Sequence, residues 1–219
     1  MGVITHPAVS RVLTSVRSLD TSTAALLIAV AAETAGDRDL LQAAVETYLT
    51  FDNRYDRLYE LLIQTYLFAG FPAVIEGLKV AHRVAHAREI HVSSNIRESY
   101  NPDLFIYRGT RHFHLVYGAQ ADQVQRLLHE LSPELEQWIL LEGYGKILAR
   151  PFAVSPLERE FGAIVALAVG TWHVQLRSHL HAAAALGASS ATLSEVLLCA
   201  ETVVPKEHMQ PAYEYIARL

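Results

Sequence analysis

Ser155-Pro156-Leu157-Glu158-Arg159-Glu160-Phe161-Gly162-Ala163-Ile164-Val165-Ala166-Leu167-Ala168 is the stretch on which the fold reading turns. Ser155 supplies a side-chain oxygen for the free N–H groups at a helix start. Pro156 has the fixed φ suited to the first helical position, and Glu158 stands at the third, completing a capping box. An apolar stretch with a period near 3.6 follows, and its most apolar run, Ala163 to Gly170, reads as a buried helix. Within the stretch, Glu160 has Ile164 and Leu167 as its i+4 and i+7 neighbours, so its carboxylate points into the packed face.

Similar punctuation recurs on either side. Ser132-Pro133-Glu134 repeats the start signal, Thr192-Leu193-Ser194-Glu195 has capping-box spacing, and Gly36, Gly70 and Gly187 fall where helices should stop. The pattern predicts helices at roughly 7–18, 21–35, 37–51, 55–69, 72–88, 103–117, 120–130, 133–148, 156–170, 173–186, 192–203 and 206–218. Ile90 to Asn95 alternates weakly before a polar segment ending at Pro102, and reads as a connection. The expected class is all-α.

An offset of 135 positions sets Ala25–Lys79 against Glu160–Glu214 without a gap, matching Val30 with Val165, Leu41 with Leu176, and Glu60 with Glu195. Helix order and apolar phase agree across the match, so an internal duplication is expected. It divides the chain into a first repeat at 1–88, a connection at 89–103 and a second repeat at 104–219.

Composition excludes several classes. Of 219 residues, 51% are hydrophobic and 19% charged, with a formal net charge of -5, so a large core is available and no basic footprint for nucleic acid exists. Ala24–Ala32 and Ala163–Gly170 are the most apolar runs, and each is less than half the roughly 20 residues of a membrane span. Met1 to Val12 shows no signal-peptide pattern, which predicts a cytoplasmic protein. A single cysteine, Cys199, precludes an intramolecular disulfide and a Cys-x-x-Cys redox pair.

Two inward polar residues stand out in the second repeat. His179 has Leu176 at i−3 and Ala183 at i+4, so it projects, like Glu160, from a packed face. Carboxylates and imidazoles on core faces are costly unless they pair or meet a ligand. A converging Glu160 and His179 would suit acid–base chemistry, because the carboxylate fixes the tautomer and raises imidazole basicity. The same pair could equally serve only to tie two helices. Against that, the matching positions in the first repeat are Ala25 and Ala44, so the helix pairing itself does not demand it. Glu201 is a third expected inward group. His82 and His86 lie i,i+4 among Lys79, Arg83 and Arg88, a solvated basic face rather than a chelate. His112 with His114, and His179 with His181, have strand-like spacing on helices. No metal and no cofactor are expected.

Glu142-Gly143-Tyr144-Gly145-Lys146-Ile147-Leu148-Ala149-Arg150-Pro151, then Leu157 to Glu160, then Gln175-Leu176-Arg177-Ser178-His179, resemble the carboxymuconolactone decarboxylase family. Tyr107-Arg108-Gly109 and Val116-Tyr117-Gly118 resemble the lead-in of its long, two-unit members. Glu60 to Gln64 with Phe68-Ala69-Gly70-Phe71-Pro72 resembles the end of the same unit in the first half. The resemblance implies an alkylhydroperoxidase-like helical fold, assembled as a homo-oligomer. In the redox branch of that superfamily a Glu precedes two cysteines and a His follows the second by four positions. Carried over, these are Glu160 and His179, with Trp172 and Gln175 at the cysteine positions, which implies loss of thiol peroxidase chemistry. What remains resembles the decarboxylase branch, a lyase acting on a small organic acid or lactone. Motif position adds Tyr144, Arg150, Trp172 and Arg177 as expected substrate contacts, with Trp172 as an apolar pocket wall. Val203-Val204-Pro205-Lys206-Glu207 departs from the family's aromatic–Gly–x–Pro turn, which keeps open a non-catalytic helical oligomer as the alternative.

Overall fold

The computed structural model describes residues 6–92 and 98–219. Within them every regular element is helical: α1 (Pro7–Ser15), α2 (Thr21–Ala35), α3 (Arg38–Phe51), α4 (Tyr55–Gln64), α5 (Tyr66–Ala87), α6 (Pro102–Tyr117), α7 (Ala121–Leu131), α8 (Pro133–Trp138), a π-helix (Ile139–Leu148), α9 (Pro156–Val169), α10 (His173–Ala185), α11 (Ser190–Ala200) and α12 (Gln210–Ile216). Short 3₁₀ turns at Gly118–Gln120 and Lys206–Met209 lead into α7 and α12. The all-α class is thereby established. The first residues of the leader reading, 1–5, and the middle of the expected connection, 93–97, lie outside the described residues. No helix among the described residues is long and apolar enough to cross a membrane.

Two helices form the centre because neither has a polar face to offer solvent. Every residue from Thr23 to Glu33 of α2 is buried, as is every residue from Arg159 to Ala168 of α9. They pack on each other; α11 lies against both and α4 does the same. One hydrophobic core therefore runs from Val9 to Ile216 through both halves of the chain. A smaller cluster, including Phe113, Val116, Leu140, Tyr144, Leu148, Ala163 and Ala182, sits under α6 and the π-helix. Each fully buried Leu, Ile, Val or Phe contributes about 1.5–3 kcal/mol to such a core.

The punctuation is largely as expected. Ser155 accepts from the Glu158 N–H while the Glu158 carboxylate accepts from the Ser155 N–H, the complete capping box. Gly36 ends α2 with a left-handed φ of 73°. At α11 the expected box is displaced: the cap is Ser189, whose hydroxyl accepts from the Thr192 N–H at 3.1 Å. Glu195 is thereby freed, and its carboxylate accepts from the backbone N–H groups of Arg17, Ser18 and Leu19.

The helix expected over 133–148 changes character at Ile139. Its last ten residues are wound as a π-helix, with the Ala149 N–H reaching the Tyr144 carbonyl, five residues back, at 2.8 Å. Glycines bring this segment against α6 at backbone distance. A Cβ on Gly109 would overlap the Leu140 carbonyl oxygen, and one on Gly145 would overlap that of Phe105. Arg108 fastens the same junction, donating to the Gly145 carbonyl and ion-pairing with Glu98.

Candidate functional site

Adjacent residues on α9 serve two different polar clusters, because successive side chains on an α-helix diverge by roughly 100°. Arg159 points to the α4 side. Its guanidinium donates to Glu60 Oε2 at 2.7 Å and to the carbonyls of Arg150 and Phe152, while Gln64 Nε2 donates to the Arg159 carbonyl at 2.8 Å. Arg150 Nε donates to the other Glu60 oxygen at 3.1 Å, and its guanidinium lies over the Phe152 ring. Glu60 is wholly buried, so two arginines compensate one enclosed carboxylate.

Glu160 points the other way, toward α6 and α10. Its Oε2 lies 2.7 Å from His179 Nδ1 and its Oε1 lies 2.8 Å from His112 Nε2. The carboxylate is fully enclosed and the two histidines are 4% and 7% exposed, which excludes bulk water from the bonds. Burial alone would raise the Glu160 carboxyl. The positive field of His179, with the hydrogen bonds from both imidazoles and the charge of His112, outweighs it and holds the group at about 2. An ionised carboxylate only accepts, so the facing ring nitrogens, His179 Nδ1 and His112 Nε2, each carry a proton. His179 is left with Nε2, and His112 with Nδ1, as the second nitrogen of each ring.

Aromatic rings close the cluster. Tyr144, projected by the π-helix, lies parallel to the His179 ring at 6.5 Å and 5.9 Å from His112. Phe113 meets Tyr144 edge-on at 5.2 Å, and Tyr117 packs on Phe113 at 4.5 Å. Burial pushes the Tyr144 phenol well up, and the neighbouring Tyr117 phenol and Glu160 carboxylate add to it, so Tyr144 stays a protonated donor.

Tyr117 also lines a cleft of about 540 Å³, whose other walls include Arg177, Ser178, His181, Gln120 and Tyr215. Arg177 lies over the Tyr215 ring at 4.8 Å, leaving a cation at the mouth of a partly aromatic cleft. Glu160, His112 and His179 do not themselves line it. Tyr117, which lines the cleft, packs on Tyr144 at 6.3 Å.

The expected site residues thus separate. Glu160, His179 and Tyr144 come together, and Arg177 lines the cleft with Tyr117. Arg150 is not among them, being tied to Glu60. Trp172 is not among the residues that line this cleft; it is 59% exposed, just after Thr171, whose φ of 57° turns the chain sharply into α10. Glu201 does not converge on Glu160 either; it accepts from the Tyr213 hydroxyl at 2.6 Å. Cys199 is buried, with burial and then Glu195 pushing its thiol up, away from thiolate chemistry. His82 and His86 are both exposed on α5. Among the described residues no group of three or more His, Cys, Asp or Glu is arranged to hold a metal ion.

His112 is the member that sequence reading passed over. Pairing it with His114 tests only chelate spacing. Its helical neighbours Phe105, Gly109 and Val116, at i−7, i−3 and i+4, are all buried and place it on the inward face of α6.

No family model matches the chain. A curated relative, peroxisomal protein 2 from Schizosaccharomyces pombe, is 30% identical over 145 residues. The match covers 62% of this chain and 62% of the relative, so the chain spans under two thirds of the protein it resembles.

Proposed function

We propose that this chain is a carboxymuconolactone-decarboxylase-like protein, built by internal duplication, whose second half carries out acid–base chemistry of the lyase type on a small organic acid or lactone. The observation that carries the reading is the Glu160 carboxylate held between His112 and His179. A buried carboxylate on Nδ1 orients the imidazole and leaves Nε2, on the far side of the ring, as the position for proton transfer. In a decarboxylation the substrate carboxylate leaves as carbon dioxide, its bonding electrons pass into a dienolate, and His179 Nε2–H protonates the dienolate carbon. Solvent then reloads the ring. Arg177 at the cleft mouth supplies the positive charge that a substrate acid needs, and Tyr144 is a hydrogen-bond donor beside the reacting imidazole.

Supporting the duplication, contacts across the centre are reciprocal: α11 of the second half packs on α2, and α4 of the first half packs on α9. The alternative, a non-catalytic helical protein, is favoured by one specific observation, that neither histidine lines the cleft.

His179→Asn separates the two. Asparagine can still donate to Glu160 from nearly the Nδ1 position but lacks the Nε2 nitrogen. Turnover or binding in a screen of lactones and small carboxylic acids should fall by roughly 10²–10⁴ while the melting temperature is nearly kept. No turnover and no ligand for the parent protein would leave the structural alternative in possession.

The exposed Leu127, Leu131, Leu135 and Trp138 on α7 and α8 support self-association, and sedimentation at micromolar concentration should give a species larger than 24.3 kDa. The relative's name assigns that protein to peroxisomes, and we propose the peroxisome for this chain in place of the cytoplasm that the sequence reading expects.

A further inference from the structure

Val174, Arg177, Ser178 and His181 stand at i, i+3, i+4 and i+7 on α10, so they share one face of that helix, and all four line the cleft of about 540 Å³. We propose that this cleft is a binding site for a small phosphate monoester, whose phosphate is held by Arg177, Ser178 and His181. The inference deepens the reading of the cleft given above and rests on it for Arg177 as the partner of an anion. It requires no turnover at His179.

The donors of the cleft are unspent. Arg57, Arg108, Arg150 and Arg159 each hold a carboxylate. Arg177 holds none among the described residues; its guanidinium lies over the Tyr215 ring at 4.8 Å, a stacking that uses the face of the group and leaves its N–H edge. The Ser178 hydroxyl, the His181 imidazole and the Gln120 amide have no hydrogen-bond partner among the described residues either. His181 Nε2 comes within 3.5 Å of where a Cβ on Gly118 would stand, which sets the imidazole on the α6 side of the cleft. No carboxylate lines the space, although the chain carries a formal net charge of -5. A carboxylate ligand, with its pair of oxygens, could use only part of this donor set. A phosphate monoester brings three terminal oxygens and nearly a double negative charge, enough for a bidentate guanidinium with a hydroxyl and an imidazole N–H beside it. Val116, Val174 and Tyr117 add apolar surface for the organic part, and the volume falls within the range of about 300–1,000 Å³ usual for small-molecule sites.

Isothermal titration calorimetry on the full chain tests this, with phenyl phosphate, benzoate and inorganic phosphate as probes. The expected result is one site for phenyl phosphate, with the other two bound about tenfold or more weakly. Arg177→Gln should weaken phenyl phosphate by roughly 10–100-fold, the loss of a charge-assisted pair, and Ser178→Ala and His181→Phe each by less. Arg126→Gln, in the separate groove between α7 and α8, should bind as the parent does. Benzoate bound as tightly as phenyl phosphate would overturn the phosphate assignment and leave the organic-acid reading intact. Inorganic phosphate bound as tightly would overturn the ester in favour of the free ion. No binding by the parent, or binding that Arg177→Gln leaves unchanged, would overturn the site itself. His179→Asn keeps the two readings apart, because it should lower turnover of acids and lactones yet leave phenyl phosphate affinity unchanged; a parallel loss of that affinity would place the anion at His179 and overturn the cleft assignment. A parent that turns over no acid or lactone and still binds phenyl phosphate through Arg177 would sink the catalytic reading alone.

Discussion

His112 Nε2 lies 2.8 Å from Glu160 Oε1, joining residues 48 positions apart on α6 and α9. With His179 on the other oxygen, the carboxylate has a donor for each side of its charge. Removing either donor strands an oxygen in the core.

His112→Ala should therefore destabilise the fold by about 1–3 kcal/mol, the cost of a buried acceptor left without its donor. His112→Gln, whose amide nitrogen can take the place of Nε2, should recover most of that loss. Urea denaturation of the pair checks it, and equal stabilities would count against the bond.

Glu160 sets an acid limit. Its folded value is depressed, so the stability it contributes is fully present above its ordinary value of 4.5 and is lost as pH falls through about 2. The size is about 3 kcal/mol, because each pH unit separating the folded from the ordinary value corresponds to about 1.4 kcal/mol. Glu160→Gln should remove this acid slope, read as melting temperature against pH from 6 down to 2.

Glu33 acts in the opposite sense. It is 2% exposed, its Oε2 accepts from the Thr65 hydroxyl at 2.6 Å, and its Oε1 has no partner. Burial pushes its carboxyl up to about 8, against the Thr65 bond that lowers it. Between 4.5 and 8 the folded protein keeps a proton that the unfolded chain has lost. Stability should therefore decline across that window, by about 5 kcal/mol at most. Glu33→Gln should flatten the decline; an unchanged pH profile would show that Glu33 is not its source.

Gly109→Ala tests the helix junction that carries both His112 and Tyr144. The added methyl would overlap the Leu140 carbonyl, a backbone atom that cannot swing aside. A loss of about 1–3 kcal/mol is expected from such overpacking. Gly143→Ala, which meets nothing within 4 Å, should be tolerated, and thermal melts of the two distinguish a local clash from a general cost of losing glycine.

The helical class, the start of α9 and the inward direction of Glu160 and His179 are legible in the residues alone. Those properties are local: a capping box acts over four residues, and the phase of a side chain repeats every 3.6. Tyr144 is legible too, through its motif. Partner choice comes from the packing of distant helices. Arg150 and Arg159 meet Glu60 because α4 lies against α9, and no periodicity on either helix encodes that crossing. His112 joins Glu160 because Gly109 and Gly145 let α6 settle against the π-helix at backbone distance. Trp172, an expected pocket wall, follows the left-handed Thr171, is 59% exposed and lies outside the lining of the Arg177 cleft. Helical phase tells which way a side chain points; what it meets there depends on which distant helix buries that face, and that follows from the packing of the whole core.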